Sequence, residues 1–191
     1  VPVPDRGSAM LVPVDAARSG IVVQLAYGTP DNLSGRPIYR NPVCLLHAEA
    51  ADKLQAAAAL AGALGLRLHV FDAYRPTEAQ WRLWEACPDP TFVADPRRGS
   101  PHSRGVAIDL TLVDGSGRPL EMGTGFDAVV DQSHHARTDV SAEAQRNRLL
   151  LLGLMTAAGW DHYSKEWWHY QLFDARRYPL VADGAMGPAL M

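Results

Sequence analysis

Hydrophobic positions recur along the chain with two different spacings, and each spacing predicts a kind of element. Between His47 and Leu64 the apolar residues fall three or four positions apart, which is typical of one buried face of a helix. Most of them are alanines, so a neighbouring sheet can approach this helix closely. The pattern also predicts a long helix over 142–158, and a short helix after Thr77, which stands as an N-cap with Gln80 three residues on.

Shorter apolar runs between turn residues predict the strands. These runs lie at 21–26, 66–71, 106–113 and 166–173. Asp114–Gly117 is a hairpin signal, so a return strand is expected near 119–122. The mixed order of helices and strands favours a single α+β domain, with helices flanking a mostly antiparallel central sheet, over a doubly wound fold. The connection predicted over 123–140 is long, and loops of that length are more often functional than idle.

Composition narrows the class of protein. The chain has 191 residues, 47% of them hydrophobic and 20% charged, which suits one globular domain. Its net charge of −3 gives no electrostatic footprint for a nucleic acid or an anionic membrane, and no apolar stretch reaches the length of about 18 residues that a membrane span needs. We therefore expect neither as a partner. Cys44 and Cys87 are too few for a disulfide framework and are expected as free thiols, with a single bridge left open for an exported protein.

Asp109 is the first candidate for chemistry, because it stands in the middle of a strongly apolar predicted strand where a carboxylate is disfavoured. A carboxylate that faces an interior needs a cationic partner, which a metal ion or an arginine can supply. His102 precedes the strand in a loop, and Gly105 lets the backbone turn so that the imidazole folds back over Asp109.

A second unusual segment combines three aromatic residues with an acid and an imidazole, at Glu166 and His169. Catalytic zinc usually takes three protein ligands and leaves a fourth position for water, and His102, Asp109 and His169 can supply those three. Glu166 is then the candidate base for the water, provided that it lies in the turn before the strand. The alternative is that Glu166 caps a strand end while His169 forms a hydrogen bond inside an aromatic core.

Arg75 lies between Tyr74 and Pro76 at the end of a predicted strand. A fixed guanidinium can stabilise a developing oxyanion or hold a substrate carboxylate. The alternative is a structural salt bridge to Asp72 or Glu78, which the local sequence on its own favours.

Around these residues the chain resembles the zinc D-alanyl-D-alanine dipeptidases, relatives of the vancomycin-resistance dipeptidase. They belong to a wider group of D-Ala-D-Ala metallopeptidases that share a fold with the hedgehog signalling domain. The resemblance rests on SPHSRGVAID at 100–109 and EWWH at 166–169. It extends to the flanking segments YGTPDNLSG (27–35), YRP (74–76), MGTGFD (122–127) and QRNR (145–148). It covers about residues 22–183, so we expect an N-terminal arm over 1–20, a zinc dipeptidase domain over 21–183 and a C-terminal tail over 184–191.

The resemblance implies a role for each residue at the metal. One zinc ion (Zn2+) per chain is bound by His102, Asp109 and His169. Glu166 acts as the general base on the water and then protonates the leaving amine. Arg75 stabilises the tetrahedral intermediate.

The resemblance also implies a small, closed substrate pocket. Tyr27, Ser100 and Asp127 match positions that line it, and Asp127 is the partner expected for the substrate ammonium. The implied reaction is hydrolysis of the dipeptide D-Ala-D-Ala to two D-alanines, with homo-oligomerisation left open.

Two other functions remain open on the sequence. One is a D,D-carboxypeptidase or endopeptidase of the same fold that acts on longer peptidoglycan peptides. The other is a non-catalytic binding module that contains zinc, against which Glu166 argues because a structural site needs no base. The chain is expected in the bacterial cytoplasm, or in the periplasm if a signal peptide was removed.

Overall fold

A computed structural model describes residues 11–191 of the chain. In this range the chain forms seven strands and four α-helices. The strands are β1 (Leu11–Pro13), β2 (Val22–Val23), β3 (Leu45–His47), β4 (Arg67–Asp72), β5 (Ala107–Val113), β6 (Asp161–His162) and β7 (His169–Gln171). The helices are α1 (Ala16–Ser19), α2 (Ala48–Gly62), α3 (Thr77–Ala86) and α4 (Ala142–Ala157).

A five-stranded sheet forms the centre of the domain, in the order β2-β4-β5-β7-β6. The β2–β4 pair is parallel and the other three pairs are antiparallel. Every residue of β5 is buried, so both faces of the sheet are covered at its centre. The expected α+β architecture with a mostly antiparallel sheet and flanking helices is therefore confirmed.

Helix α2 packs through its small residues, as the spacing of its alanines predicts. Ala50, Leu54, Ala57 and Ala61 are fully buried, and α2 contacts both β4 and α4. Alanine side chains keep the helix close to the sheet, and they lose no rotamer freedom on burial.

Part of the arm predicted over residues 1–20 is tied to the domain. Residues 1–10 lie outside the described part of the chain, whereas β1 pairs antiparallel with β3, with Leu11 opposite His47. Helix α1 follows at once and ends at Gly20 in the left-handed conformation.

Three local predictions are wrong in detail. Thr77 is the first helical residue of α3 rather than its N-cap, because Pro76 occupies the N-cap position with no side-chain hydrogen bond. The side chain of Gln80 instead donates to the carbonyl of Ala94 and anchors the 88–101 loop.

The return strand near 119–122 is reduced to an isolated bridge between Val113 and Pro119, since proline cannot donate to a ladder. The strands predicted over 21–26 and 166–173 shorten to β2 and β7, because 3-10 and turn residues adjoin them.

Gly105 fixes the approach of the His102 turn to β5, and its replacement by alanine should destabilise the fold. Its φ is +69°, and a Cβ there would overlap the Leu11 side chain and lie 3.1 Å from the backbone nitrogen of His47. We expect Gly105→Ala to lower the free energy of unfolding by about 2–3 kcal/mol, from left-handed strain plus overpacking, as measured by urea denaturation.

The matched control is Gly20→Ala. Gly20 has a similar φ of +65° but no atom within 4 Å of the added Cβ, so only the backbone strain of about 1 kcal/mol is expected. Equal destabilisation by the two substitutions would show that the space around Gly105 is not limiting.

Candidate active site

Strand register places Asp109 beside His169. The two residues are directly opposite each other in the β5–β7 pair, and Asp109 is also opposite Asp72 in the β4–β5 pair. Residues directly opposite in an antiparallel pair project their side chains to the same face. A bulge between Val70 and Asp72 keeps that alignment at the end of β4, where the regular alternation would otherwise change.

His102 reaches the same point from the 3-10 turn His102–Arg104, which Gly105 ends in the left-handed conformation. Its Nε2 lies 3.2 Å from Nδ1 of His169 and 3.4 Å from Oδ2 of Asp109. Nδ1 of His169 lies 3.1 Å from Oδ1 of Asp109. The three side chains are buried, and the structure therefore brings together the three predicted ligands.

These residues fit a tetrahedral metal ion. One ligand atom from each lies within 4.8 Å of the others, and ligands about 2.0–2.1 Å from a tetrahedral zinc are roughly 3.3–3.4 Å apart. Nδ1 of His102 donates to the carbonyl of Ala73 at 2.7 Å, and Nε2 of His169 donates to Oε1 of Gln171 at 3.0 Å. In these tautomers the two remaining ring nitrogens face each other and a carboxylate with their lone pairs, an arrangement that a metal ion between them would stabilise.

Glu166 lies in the turn before β7, as the sequence predicts. Its amide donates to the carbonyl of Tyr163, and its carbonyl accepts from the amide of His169. Oε2 of Glu166 lies 3.9 Å from Nδ1 of His169, beside the metal ligands but outside their set. Burial raises the pKa of Glu166 to about 8, and a cation at the neighbouring ligands would favour the ionised form.

Arg75 makes the ion pair with Asp72 that one interpretation of the sequence predicts, and it also faces the predicted metal ligands. Its Nε lies 3.1 Å from Oδ2 of Asp72, and its Nη2 lies 3.8 Å from Oδ2 of Asp109. The guanidinium is held 5.0 Å above the ring of Tyr27, and these neighbours raise its pKa despite burial. The two interpretations are compatible, since the ion pair fixes the guanidinium beside the site.

Asp72 is a part of the site that the sequence suggests only as a salt-bridge partner. It is fully buried, accepts a hydrogen bond of 2.8 Å from the hydroxyl of Tyr39, and lies 3.6 Å from Nδ1 of His102. Burial raises its pKa to about 8. Its position at the end of an apolar strand, like that of Asp109, is the sequence signal that could have found it.

Tyr27 and Asp127 meet on the other side of Arg75. The hydroxyl of Tyr27 donates to the Asp127 carboxylate, with oxygen distances of 2.9 and 3.1 Å, and the amide of Leu33 donates to it at 3.3 Å. Burial and the negative charge of Asp109 raise the pKa of Asp127 to about 6. A carboxylate held in this way is suited to a cationic group such as an ammonium.

Ser100 is buried next to His102, and its Oγ accepts a hydrogen bond of 3.2 Å from the His102 amide. The hydroxyl therefore stabilises the turn that carries a predicted metal ligand. Ser100 also lines the larger cavity beside the site, where the resemblance places it.

Two adjoining cavities lie over these residues. The larger has a volume of about 230 Å³ and is lined by Arg75, Ser100, His102, Glu166 and His169, among others. The smaller contains Tyr27, Asp109 and Asp127. Both are covered by the 88–101 loop through Phe92 and Val93, and the hydroxyl of Tyr163 donates to the carbonyl of Thr91 at 3.0 Å in the same loop. Sequence reasoning missed this cover, because its apolar residues carry no chemical motif.

The site contains more acidic side chains than guanidinium groups. The carboxyl groups of Asp72, Asp109, Asp127 and Glu166 surround the guanidinium of Arg75. Such an excess of buried negative charge is costly unless protons or a cation balance it. A cation at the three predicted ligands would balance this charge, as protons can in its absence.

The two cysteines are unpaired, as expected from the sequence. Cys44 and Cys87 are free thiols, and burial raises the pKa of Cys44 to about 12. Over residues 11–191, no helix combines the length and the apolar character that a bilayer crossing requires.

Comparison with known proteins gives a consistent result. A peptidase family model described as "D-ala-D-ala dipeptidase" matches residues 7–183. The chain is similar to a D-alanyl-D-alanine dipeptidase of Escherichia coli, with 49% identity over 161 residues that cover 84% of this chain and 83% of that protein.

More distant relatives carry the same name. A D-alanyl-D-alanine dipeptidase of Enterococcus faecium is 34% identical over 182 residues, covering 84% of this chain and 90% of that protein. One of Streptomyces coelicolor is 34% identical over 184 residues, covering 83% and 89%. The family match spans the whole of the central sheet, the predicted ligand set and the cover of the cavity, and it places this chain in the D-Ala-D-Ala dipeptidase family of peptidases.

Proposed function

We propose that the chain hydrolyses D-Ala-D-Ala to two D-alanines, with one zinc ion held by His102, Asp109 and His169 and with Glu166 as the general base. The observation that carries the proposal is the meeting of three buried ligand atoms within 4.8 Å, with the Glu166 carboxyl beside them. The choice of substrate is supported by the names of the relatives, all of which are D-alanyl-D-alanine dipeptidases.

The metal contributes one part of the chemistry. A zinc ion held by His102, Asp109 and His169 would supply Lewis-acid catalysis, which would polarise the scissile carbonyl and bring the pKa of a water towards 7. Two hydrogen bonds, from His102 to the carbonyl of Ala73 and from His169 to the side chain of Gln171, fix the tautomer of each imidazole. The other ring nitrogen of each histidine is thereby left free to bind the metal.

Glu166 moves the protons. Its carboxylate accepts a proton from the attacking water and then delivers it to the leaving amine, so that one group serves as base and acid in turn. Burial raises its pKa above the ordinary value, which makes the protonated form a usable acid, while a cation at the neighbouring ligands would favour the ionised form that first acts as the base. The turn at 163–166 fixes this carboxyl through the backbone, so the group needs little rearrangement.

Arg75 stabilises the charge that develops on the carbonyl oxygen. Its ion pair with Asp72 and the ring of Tyr27 keep the guanidinium in place before substrate arrives. Preorganised donors of this kind stabilise a transition state without reorganising during the reaction.

The two cavities explain how a dipeptide is selected. The carboxylate of Asp127 accepts hydrogen bonds from the substrate ammonium in the smaller cavity, while the rest of the dipeptide occupies the larger one. A volume of about 230 Å³ is below the range of roughly 300–1,000 Å³ that drug-sized ligands occupy, which suits two alanine residues. A longer peptide would place an amide, in place of the ammonium, against a buried carboxylate.

The test is a panel of peptides incubated with the zinc-loaded protein, with released amino acid as the readout. We expect D-Ala-D-Ala to be cleaved, and L-Ala-L-Ala and a pentapeptide that ends in D-Ala-D-Ala to resist. Cleavage of the pentapeptide in preference to the dipeptide would instead assign a carboxypeptidase. Retention of zinc without cleavage of any member would indicate a binding module.

A further inference from the structure

Arg148 is a buried cation outside the site described so far. It lies on α4 with 4% of its surface exposed. Among residues 11–191 no carboxylate oxygen lies within 4 Å of its guanidinium. A buried charge is costly unless it is hydrogen-bonded, so its partners show what it holds.

The guanidinium of Arg148 donates hydrogen bonds to backbone carbonyls at two places. One lies at the start of the 123–140 connection and the other lies within it. Nε donates to the carbonyl of Met122 at 2.6 Å. Nη1 donates to the carbonyls of Gln132 and His134, at 2.8 and 3.1 Å. The guanidinium thus joins the two ends of the segment 122–134, here called the arch.

The arch carries Asp127 at its centre. Asp127 has a φ of +60°, in the left-handed region that a residue with a side chain rarely adopts, so external contacts must keep it there. Within the arch, the hydroxyl of Ser133 donates to the carbonyl of Ala128 at 2.6 Å and lies 3.1 Å from the hydroxyl of Thr124. These bonds close the arch, and Arg148 attaches it to α4.

The arch also supports the turn that contains Glu166. The carbonyl of Ser133 accepts from the amide of Trp167 at 3.0 Å, and the indole of Trp167 donates to Thr124 at 2.8 Å. The Arg148 guanidinium lies 6.0 Å from the centre of that indole ring. One side chain is therefore linked to both carboxyl groups that flank the substrate cavities.

We propose that Arg148 is a positioning residue for catalysis: it holds the arch so that the Asp127 carboxylate meets the substrate ammonium. This role rests on the proposed function, since it assigns Asp127 to the substrate. A neutral side chain cannot satisfy three carbonyls, and lysine, with a single nitrogen, cannot span both ends of the arch.

The kinetic test compares Arg148→Met with Arg146→Met, which removes an exposed arginine of the same helix. We expect Arg148→Met to raise KM for D-Ala-D-Ala at least tenfold with one zinc per chain retained, and Arg146→Met to change KM less than twofold. In an Asp127→Asn background, Arg148→Met should raise KM less than threefold further, because the contact on which it acts is already lost. An equal effect of Arg148→Met in both backgrounds would overturn the proposal.

A second measurement does not depend on activity. In the milder variant Arg148→Lys, amide hydrogen exchange over 123–131 should be at least tenfold faster than in the parent protein, with α2 unchanged. Unchanged exchange over 123–131 would overturn the proposal even if the protein cleaved no dipeptide. Faster exchange over 123–131 in a protein that cleaves no dipeptide would support the role of Arg148 in holding the arch. The same result would reject the proposed dipeptidase function.

Discussion

Replacing Glu166 by glutamine is expected to leave the zinc content at one per chain and to lower kcat for D-Ala-D-Ala by at least two orders of magnitude. The amide keeps the shape of the side chain but cannot accept a proton from water, and removal of a general base usually costs about 10²–10⁴ in rate. Since Glu166 lies beside the ligand set and outside it, metal binding should be preserved. Metal analysis and steady-state kinetics on the same preparation measure both quantities.

The matched control for this experiment is Glu85→Gln. Glu85 is exposed on α3, away from the cavities, and its replacement should change kcat less than twofold. Full activity in Glu166→Gln would assign the proton transfer to another group. Loss of zinc from that variant would mean that Glu166 is itself a ligand.

The second large effect is expected at the metal ligands. His169→Ala should weaken zinc binding by more than 100-fold and reduce activity to background at a zinc concentration that saturates the parent protein. The loss of a residue that only forms a hydrogen bond to a metal ligand typically costs 10–100-fold in metal affinity, so the loss of one of three ligands should cost more. A zinc titration in which the unfolding temperature is measured at each concentration gives an independent readout. Metal binding should raise the unfolding temperature of the parent protein.

His162→Ala is the control for His169→Ala. His162 belongs to β6, where it pairs with Tyr170 of β7, but it is exposed and outside the ligand set. The stabilisation by zinc should persist in that variant. A stabilisation of equal size in His169→Ala would contradict the assigned ligand set.

Much of the candidate site could be predicted, because its signals are local. Asp109 stands out in an apolar strand, and the spacing between Glu166 and His169 forces Glu166 into the preceding turn, where the structure has it. Both inferences rest on the alternation of side chains between the two faces of a strand. The helices over 48–62 and 142–157 were predictable for a similar reason, because each follows its own repeat over about four turns.

What could not be predicted depends on contacts between distant parts of the chain. The bulge at the end of β4, which brings Asp72 level with Asp109, has no signature in the sequence around it. The cover formed by Phe92 and Val93 consists of ordinary apolar residues in a loop. At Thr77 the local rule failed because Pro76 already fixes the backbone, so the helix starts without a side-chain cap.

The excess of carboxyl groups around Arg75 has a consequence for how the protein acquires its metal. Because burial raises the pKa of Asp72 and of Glu166 to about 8, these two carboxyl groups hold protons at neutral pH when no metal is bound. A dication favours the ionised forms, so its entry expels those protons into the buffer. Loading is thus an exchange of hydrogen ions for metal, and alkaline surroundings favour it while acid surroundings reverse it.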